Sequence, residues 1–221
     1  MSLSDRLKEE RARHAGHAPL QASVREVLAH IAQSGAIEHA LGLGEAFPDF
    51  LLPDAEGRLV ARDALLAQGP FVLAFLRGGW CPYCALAFAA LADAEPALAA
   101  RGARVLVATP ETGGRAGDLQ HARNQGSGIA VVTDVDHGLA AACGLLYRIP
   151  ESYAALLGGF GVDLGERQGN SARMLPVPAT FLVGADGRVR WRHLDADFTH
   201  RAEPSDILAA LDAVSGAQAS P

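Results

Sequence analysis

Cys81 and Cys84, in the stretch Trp80-Cys-Pro-Tyr-Cys84, are the residues of this 221-residue chain best placed to do chemistry. Two cysteines separated by two residues can cycle between dithiol and disulfide, or supply half of a metal site. Their setting favours the first. They follow the apolar run Phe71–Leu76, which reads as a strand covered on both faces, and open an Ala-rich helix expected from about Cys84 to Ala100, with Pro96 bending or ending it. Cys81 would then sit at the helix cap, where unpaired backbone N–H groups and the helix dipole favour negative charge. Pro82 suits the first turn, and the N–H groups of Tyr83 and Cys84 remain available to the Cys81 sulfur. A thiolate so placed titrates below the free-cysteine value of ~8.5 and is a nucleophile at neutral pH. Cys84, one turn later and more buried, is expected to stay protonated and to act as the resolving thiol, closing a disulfide and releasing whatever Cys81 holds. A structural zinc is the competing reading, and inert cysteines a third. Tetrahedral zinc needs four ligands, and the chain adds only Cys143 and scattered histidines, with His14-x-x-His17 lacking a cysteine partner.

The elements around the pair alternate. Phe50–Leu52 and Arg58–Val60 flank a turn and predict a short hairpin; Phe71–Leu76, Arg104–Ala108 and Ile129–Val132 predict buried strands. Helices are expected between them, the polar one around Gly114–Asn124, and a short one over Leu139–Cys143. Ala179–Val183 and Arg188–Leu194, joined through Asp186-Gly187, predict a second hairpin, and a last helix should run from about Glu203 to Val214. This order, β–α–β–α–β and then β–β–α, predicts an α/β fold: a thioredoxin-like mixed sheet sandwiched by helices. Residues 1–44 predict an N-terminal helical extension, with one helix around Ser4–Arg13 capped by Ser4 and another from about Gln21 to Leu41. The main domain spans residues 45–214. Within it, residues 145–173, with Gly158, Gly159, Gly161, Gly165 and Gly169, read as an irregular insertion, and residues 215–221 as a frayed tail.

Composition excludes several classes. The chain has 19 Lys plus Arg against 25 Asp plus Glu, a formal charge of -6, so no global field draws it to nucleic acid or anionic lipid. No apolar run approaches the ~18 residues that span a bilayer, and the charged start lacks a secretory signal's apolar core. A soluble, cytoplasmic protein is expected. His121, His137, His193 and His200 lack the spacing of a nucleophile's base, and no nucleophile-elbow, phosphate-loop or zinc-protease motif occurs.

Phe75-Leu-Arg-Gly-Gly-Trp-Cys-Pro-Tyr-Cys84, with Phe47-Pro-Asp-Phe50 upstream and Val177-Pro-Ala-Thr-Phe-Leu-Val183 downstream, resembles the peroxiredoxin-like branch of the alkyl hydroperoxide reductase/thiol-specific antioxidant family. The resemblance covers about Leu43 to Val214. It implies a thiol-dependent oxidoreductase that reduces hydroperoxides through Cys81, with a redox-active Cys81–Cys84 disulfide and no metal or organic cofactor. It implies re-reduction by thioredoxin or a glutathione-linked donor. It also implies that Pro178 is a cis-proline facing Cys81, leaving a backbone edge at Val177 free for an extended partner. The sequence departs from the family at three positions. The family's proline and Thr or Ser, seven and three residues before the attacking cysteine, are Ala74 and Gly78 here, and its arginine slot is Pro178. A departing peroxide oxygen needs hydrogen-bond donors. Arg77 is the candidate replacement, against a solvated strand-end arginine; Arg148 and Arg201 are weaker ones, expected at the surface or in salt bridges. Trp80 is expected beside the disulfide, limiting solvent, and Cys143 in an apolar, inert setting. The candidate substrate- or partner-binding residues are thus Arg77, Trp80, Pro82, Tyr83, Val177 and Pro178.

Two alternatives remain open at this stage. Cys-Pro-Tyr-Cys is also the glutaredoxin tetrapeptide, which makes a disulfide the alternative substrate. A non-enzymatic interaction module would work through residues 1–44 and 145–173. The amphipathic stripe from Leu20 to Ile37 could form a homodimer interface, although packing on its own domain is simpler.

Overall fold

The computed structural model describes residues 1–116, 118–119 and 127–218. Strand β3 (Phe71–Phe75) is the middle of a five-stranded sheet and is buried throughout. The sheet order is β5 (Ala130–Thr133), β4 (Arg104–Thr109), β3, β8 (Ala179–Val183), β9 (Val189–Leu194). β3 runs parallel to β4, and β4 to β5, while β8 and β9 are antiparallel additions on the other side. Phe71 faces Arg104 on one side and Val183 on the other. A central strand covered on both faces has no polar side, which is why Phe-Val-Leu-Ala-Phe does not alternate. Phe71, Leu73 and Phe75 point to a core with Phe47, Phe50 and Phe181. Val72 and Ala74 point the other way, to Phe88, Leu91 and Leu98 of α4 (Pro82–Ala99) and Ile207 and Leu211 of α8 (Pro204–Gln218).

The N-terminal section forms two helices, α1 (Leu3–Arg13) and α2 (Ala18–Ser34). Ser2, not Ser4, caps α1: its Oγ accepts from the Asp5 N–H at 3.1 Å while the Asp5 carboxylate accepts from the Ser2 N–H at 3.2 Å. Glu203, just before α8, accepts from the N–H groups of Leu3 and Ser4, so the first turn is also satisfied from the chain's far end. Leu3 and Leu7 rest on Ala87 and Ala90 of α4, whose small side chains admit a close approach. α2 stops at Gly35, in the left-handed conformation at φ 72°, rather than running to Leu41. Val27 and Ile31 pack on the chain's own domain.

The first hairpin is β1 (Leu51–Pro53) and β2 (Leu59–Ala61), followed by a short α3 (Arg62–Leu66) that carries no periodic signal. Of the helix expected around Gly114–Asn124, residues 117 and 120–126 lie outside the described residues, as does His121. A 3-10 turn (Val135–His137) leads into α5 (Gly138–Ala142). Residues 145–173 are not irregular. They hold β6 (Leu146–Arg148), α6 (Glu151–Gly159) and α7 (Leu164–Gln168), and β6 pairs with β7 (Met174–Pro176). Their glycines mostly end helices, Gly158 and Gly159 closing α6 and Gly169 capping α7 at φ 69°. α8 extends through Gln218, past the expected end at Val214, and residues 219–221 lie outside the described residues.

Phe47 is fully buried and meets the Phe71 and Phe181 rings edge-on at 5.6 Å each. Phe47→Ala should therefore lower unfolding free energy by ~3–5 kcal/mol. Leu51→Ala, at a side chain 59% exposed, should change it by less than ~0.5 kcal/mol. Urea denaturation of both variants is the check.

Candidate active site

β3 keeps one sheet bond beyond its end, from the Leu76 N–H to Ala108 O at 2.9 Å, before the chain turns into α4. The turn is Arg77-Gly78-Gly79-Trp80-Cys81. Gly78 has φ 140°, and a β-carbon there would lie 2.5 Å from Trp80 Nε1 and 2.9 Å from the Glu111 carboxyl carbon, so only glycine fits. Glu111, fully buried past the end of β4, anchors the turn. One carboxylate oxygen accepts from the Gly79 N–H at 2.6 Å, the other from Arg167 of α7 at 2.8 Å.

Cys81 occupies the N-cap position of α4, with Pro82 directly after it, as expected. The expected cap bond to its sulfur is not made. Cys84 Sγ instead accepts from the Arg77 backbone N–H at 3.4 Å and from Arg201 Nη2 at 3.3 Å. The two sulfurs are close enough to shift each other's ionisation, and all three cysteines are free. Both members of the pair are buried, at 2% and 0% exposure. The hydrogen bond to Cys84 and then burial push the Cys81 thiol up. Burial opposes ionisation of Cys84, but the hydrogen bond from Cys81, the Arg201 charge and the Arg77 N–H outweigh it and hold this thiol well below its ordinary range. Cys84, expected to stay protonated, is thus the thiol of the pair whose surroundings favour the anion. A guanidinium carries a full charge, whereas a cap N–H carries a fraction of one, and the sulfur that receives the guanidinium takes the charge.

Arg201, expected at the surface or in a salt bridge, is 9% exposed and has no ion pair among the described residues; its guanidinium also donates to the carbonyls of Phe198 and His200. Arg148 is exposed on β6, as expected. Arg77 is 1% exposed and, among the described residues, has no carboxylate partner. Its guanidinium donates to the Tyr153 hydroxyl at 2.6 Å and lies 4.2, 5.0 and 5.4 Å from the ring centroids of Phe198, Trp80 and Tyr153. Three aromatic faces thus hold a desolvated cation. Burial raises the Tyr153 phenol, so it stays a neutral donor. Having accepted from Arg77, that hydroxyl keeps its own proton to give.

Cys81, Arg77, Trp80, Pro82 and Tyr83 line a cavity of about 490 Å³; Tyr153 and Phe198 complete its floor. Val177 and Pro178 are not in its wall. Both are buried, the Val177 N–H donates to Leu145 O at 2.8 Å, and every described peptide bond is trans, so Pro178 is not a cis-proline. The chain continues extended from β7 into β8, a path that suits the cheaper trans form, and the β6 side takes the backbone edge expected to be free. Cys143 packs in the core on the other face of the sheet, and burial pushes its thiol up to about 12. Tyr153, Phe198 and Glu111 escaped the sequence reading: each comes from a separate segment, with no local spacing to mark it.

The match to known families agrees with this geometry. Residues 43–192 match the model of the AhpC/TSA family. The chain belongs to that family of thiol-dependent peroxidases. Its fold is similar to that of three solved structures. Peroxidoxin BcpB from Mycobacterium tuberculosis is 20% identical with a TM-score of 0.60, over 79% of this chain and 98% of that one. A cysteine-to-serine mutant of peroxiredoxin 6 from Arenicola marina is 18% identical with a TM-score of 0.64, over 81% and 76%. Mycobacterium tuberculosis AhpC is 15% identical with a TM-score of 0.62, over 82% and 97%. A search of curated proteins by sequence gives no match. Among the described residues no helix is long and apolar enough to cross a membrane.

In the reduced protein the first thiolate should appear below the ordinary cysteine range and the second above it, when thiolate absorbance is followed against pH. Arg201→Gln should move the first ionisation up by ~1–3 pH units. The folded value lies below the unfolded ~8.5, so the anion's stabilisation is complete above that pH. It is lost as pH falls through the depressed value. The margin of the reduced wild type over Arg201→Gln in urea unfolding should shrink accordingly on acidification.

Proposed function

We propose that Cys81 is the sulfur that attacks the hydroperoxide, and that Cys84 is both its proton acceptor and its resolving thiol. The observation that carries this assignment is that Cys81 alone of the pair lines the cavity, while Cys84 accepts from the Arg201 guanidinium. The Cys81 proton passes to Cys84 as the Cys81 sulfur attacks the terminal peroxide oxygen. An S–O bond forms, the O–O bond breaks, and its electron pair leaves on the alkoxide. The peroxide is reduced to an alcohol and Cys81 is oxidised to a sulfenic acid. The alkoxide ends with the proton that Cys84 had taken. Cys84, again a thiolate, attacks the sulfenic sulfur, forming the S–S bond and releasing hydroxide, which is protonated to water. A dithiol such as thioredoxin, or two glutathione-type thiols, then returns two electrons. A cytoplasmic setting suits this last step.

Arg77 and Tyr153 supply the donors that Ala74, Gly78 and Pro178 cannot. Both line the cavity beside Cys81, and both are desolvated, where a donor aimed at developing charge is worth most. The sealed backbone edge at Val177 weighs against the alternative substrate, an extended protein disulfide.

Stopped-flow tryptophan fluorescence, reported by Trp80, tests the assignment. Wild-type protein should be oxidised by hydroperoxide orders of magnitude faster than a free thiol at the same pH. Cys84→Ser should stop at a sulfenic acid that dimedone traps, and Cys81→Ser should show no fast phase. Tyr153→Phe should slow the first step on the order of 10²-fold. Free-thiol-like rates in the wild type, or a fast phase surviving in Cys81→Ser, would overturn it.

A further inference from the structure

The cavity over Cys81 is far larger than hydrogen peroxide requires. A molecule that size fills about the space of one or two waters, each ~30 Å³, against about 490 Å³ here. Its volume instead falls in the range of sites that enclose sizeable organic ligands.

The part of the wall that α1 and α2 supply comes from outside the family match, which begins at residue 43. α2 turns one apolar stripe inward. Val27 and Ile31 in it are fully buried, whereas Leu20, Val24 and Leu28 on the same stripe are half-buried and line the cavity, with Val24 and Leu28 also packed against the Val27 cluster. Leu157, Phe160 and Val162, from α6 and the turn after it, form the opposite wall, with Phe160 left 56% exposed. The buried end holds Cys81, Arg77 and Tyr153; the exposed lining residues Arg11, His17 and Arg25 mark the mouth. Arg11 is ion-paired with Asp197 at 2.8 Å. Arg25 has no ion-pair or hydrogen-bond partner among the described residues.

We propose that α1, α2 and α6 build a chamber that selects amphipathic organic hydroperoxides carrying a carboxylate. The apolar body lies on Leu20, Val24 and Leu28, the carboxylate meets Arg25 at the mouth, and the hydroperoxide group reaches Cys81. This rests on the thiol-peroxidase reading for its chemistry but not for its binding. The apolar walls disfavour a polar tripeptide thiol as the occupant and favour a free long-chain acid.

Two measurements separate the claims. Oleic acid, which cannot react, should quench Trp80 fluorescence in Cys81→Ser protein, and its methyl ester should bind about tenfold more weakly, the scale of one charge-assisted contact. Arg25→Glu should remove the preference for the acid, and Val24→Trp should block both ligands. In turnover, kcat/KM for linoleic acid hydroperoxide should exceed that for hydrogen peroxide at least about tenfold. Arg25→Glu should lower it at least about tenfold more than it lowers the value for the hydroperoxide's methyl ester. Equal binding of acid and ester, or an Arg25→Glu effect equal on both, overturns the carboxylate assignment. No quenching by either ligand, or a Val24→Trp variant that binds as the wild type does, overturns the chamber. So does a preference for phospholipid hydroperoxide vesicles or saturation by glutathione in place of the acid. Binding of oleic acid with no fast peroxide reduction would sink the peroxidase assignment and leave the chamber standing.

Discussion

A guanidinium sealed from water without a carboxylate is the constraint around which this molecule is arranged. Removing a cation from water costs several kcal/mol even after relaxation. Arg77 recovers part of that from one hydroxyl and three aromatic faces. Those groups arrive on separate segments: Trp80 from the turn, Tyr153 from α6, Phe198 from the stretch before α8. The charge can be held only when all three segments are docked. The backbone N–H of the same arginine donates to Cys84 Sγ, so the packing of the shell and the placement of the cysteine pair are fixed together.

Arg201 and Glu111 complete that arrangement from opposite sides. Arg201 ties Cys84 to the carbonyls ahead of α8, and Glu111 ties the glycine turn to α7. The turn before α4 is therefore braced by the end of β4, by the segment after β6 and by the chain's C-terminal region. A short turn with two glycines has little stiffness of its own; here rigidity comes from what surrounds it.

The sheet was legible in the sequence because each strand announces itself locally. Phe71–Phe75 is apolar throughout, and Asp186-Gly187 marks the turn of the last hairpin. The Cys81-to-Cys84 unit and Arg77 were legible for the same reason, as neighbours along one stretch. Tyr153 and Phe198 were not, since their roles depend on a cation more than seventy residues upstream. Glycine was read too simply: in residues 145–173 it ends helices, and the apolar positions between glycines, such as Tyr153 and Leu157, carry the packing. The cis-proline came from resemblance alone and failed because β6 and β7, specific to how this chain pairs, occupy the edge that such a bond would expose. The Arg201 contact with Cys84 also escaped, because the two lie 117 positions apart.

The spacing of the two sulfurs bears on how the protein would survive its own substrate. In the proposed cycle the sulfenic acid forms within hydrogen-bonding reach of the thiol that removes it, with no unfolding needed to unite them. Well-oriented intramolecular partners reach effective concentrations of about 10⁵–10⁸ M. A second peroxide molecule, arriving from solution, competes poorly with such a neighbour. On the proposed cycle the neighbouring thiol wins that competition, which suits a scavenger that keeps working as the oxidant load rises.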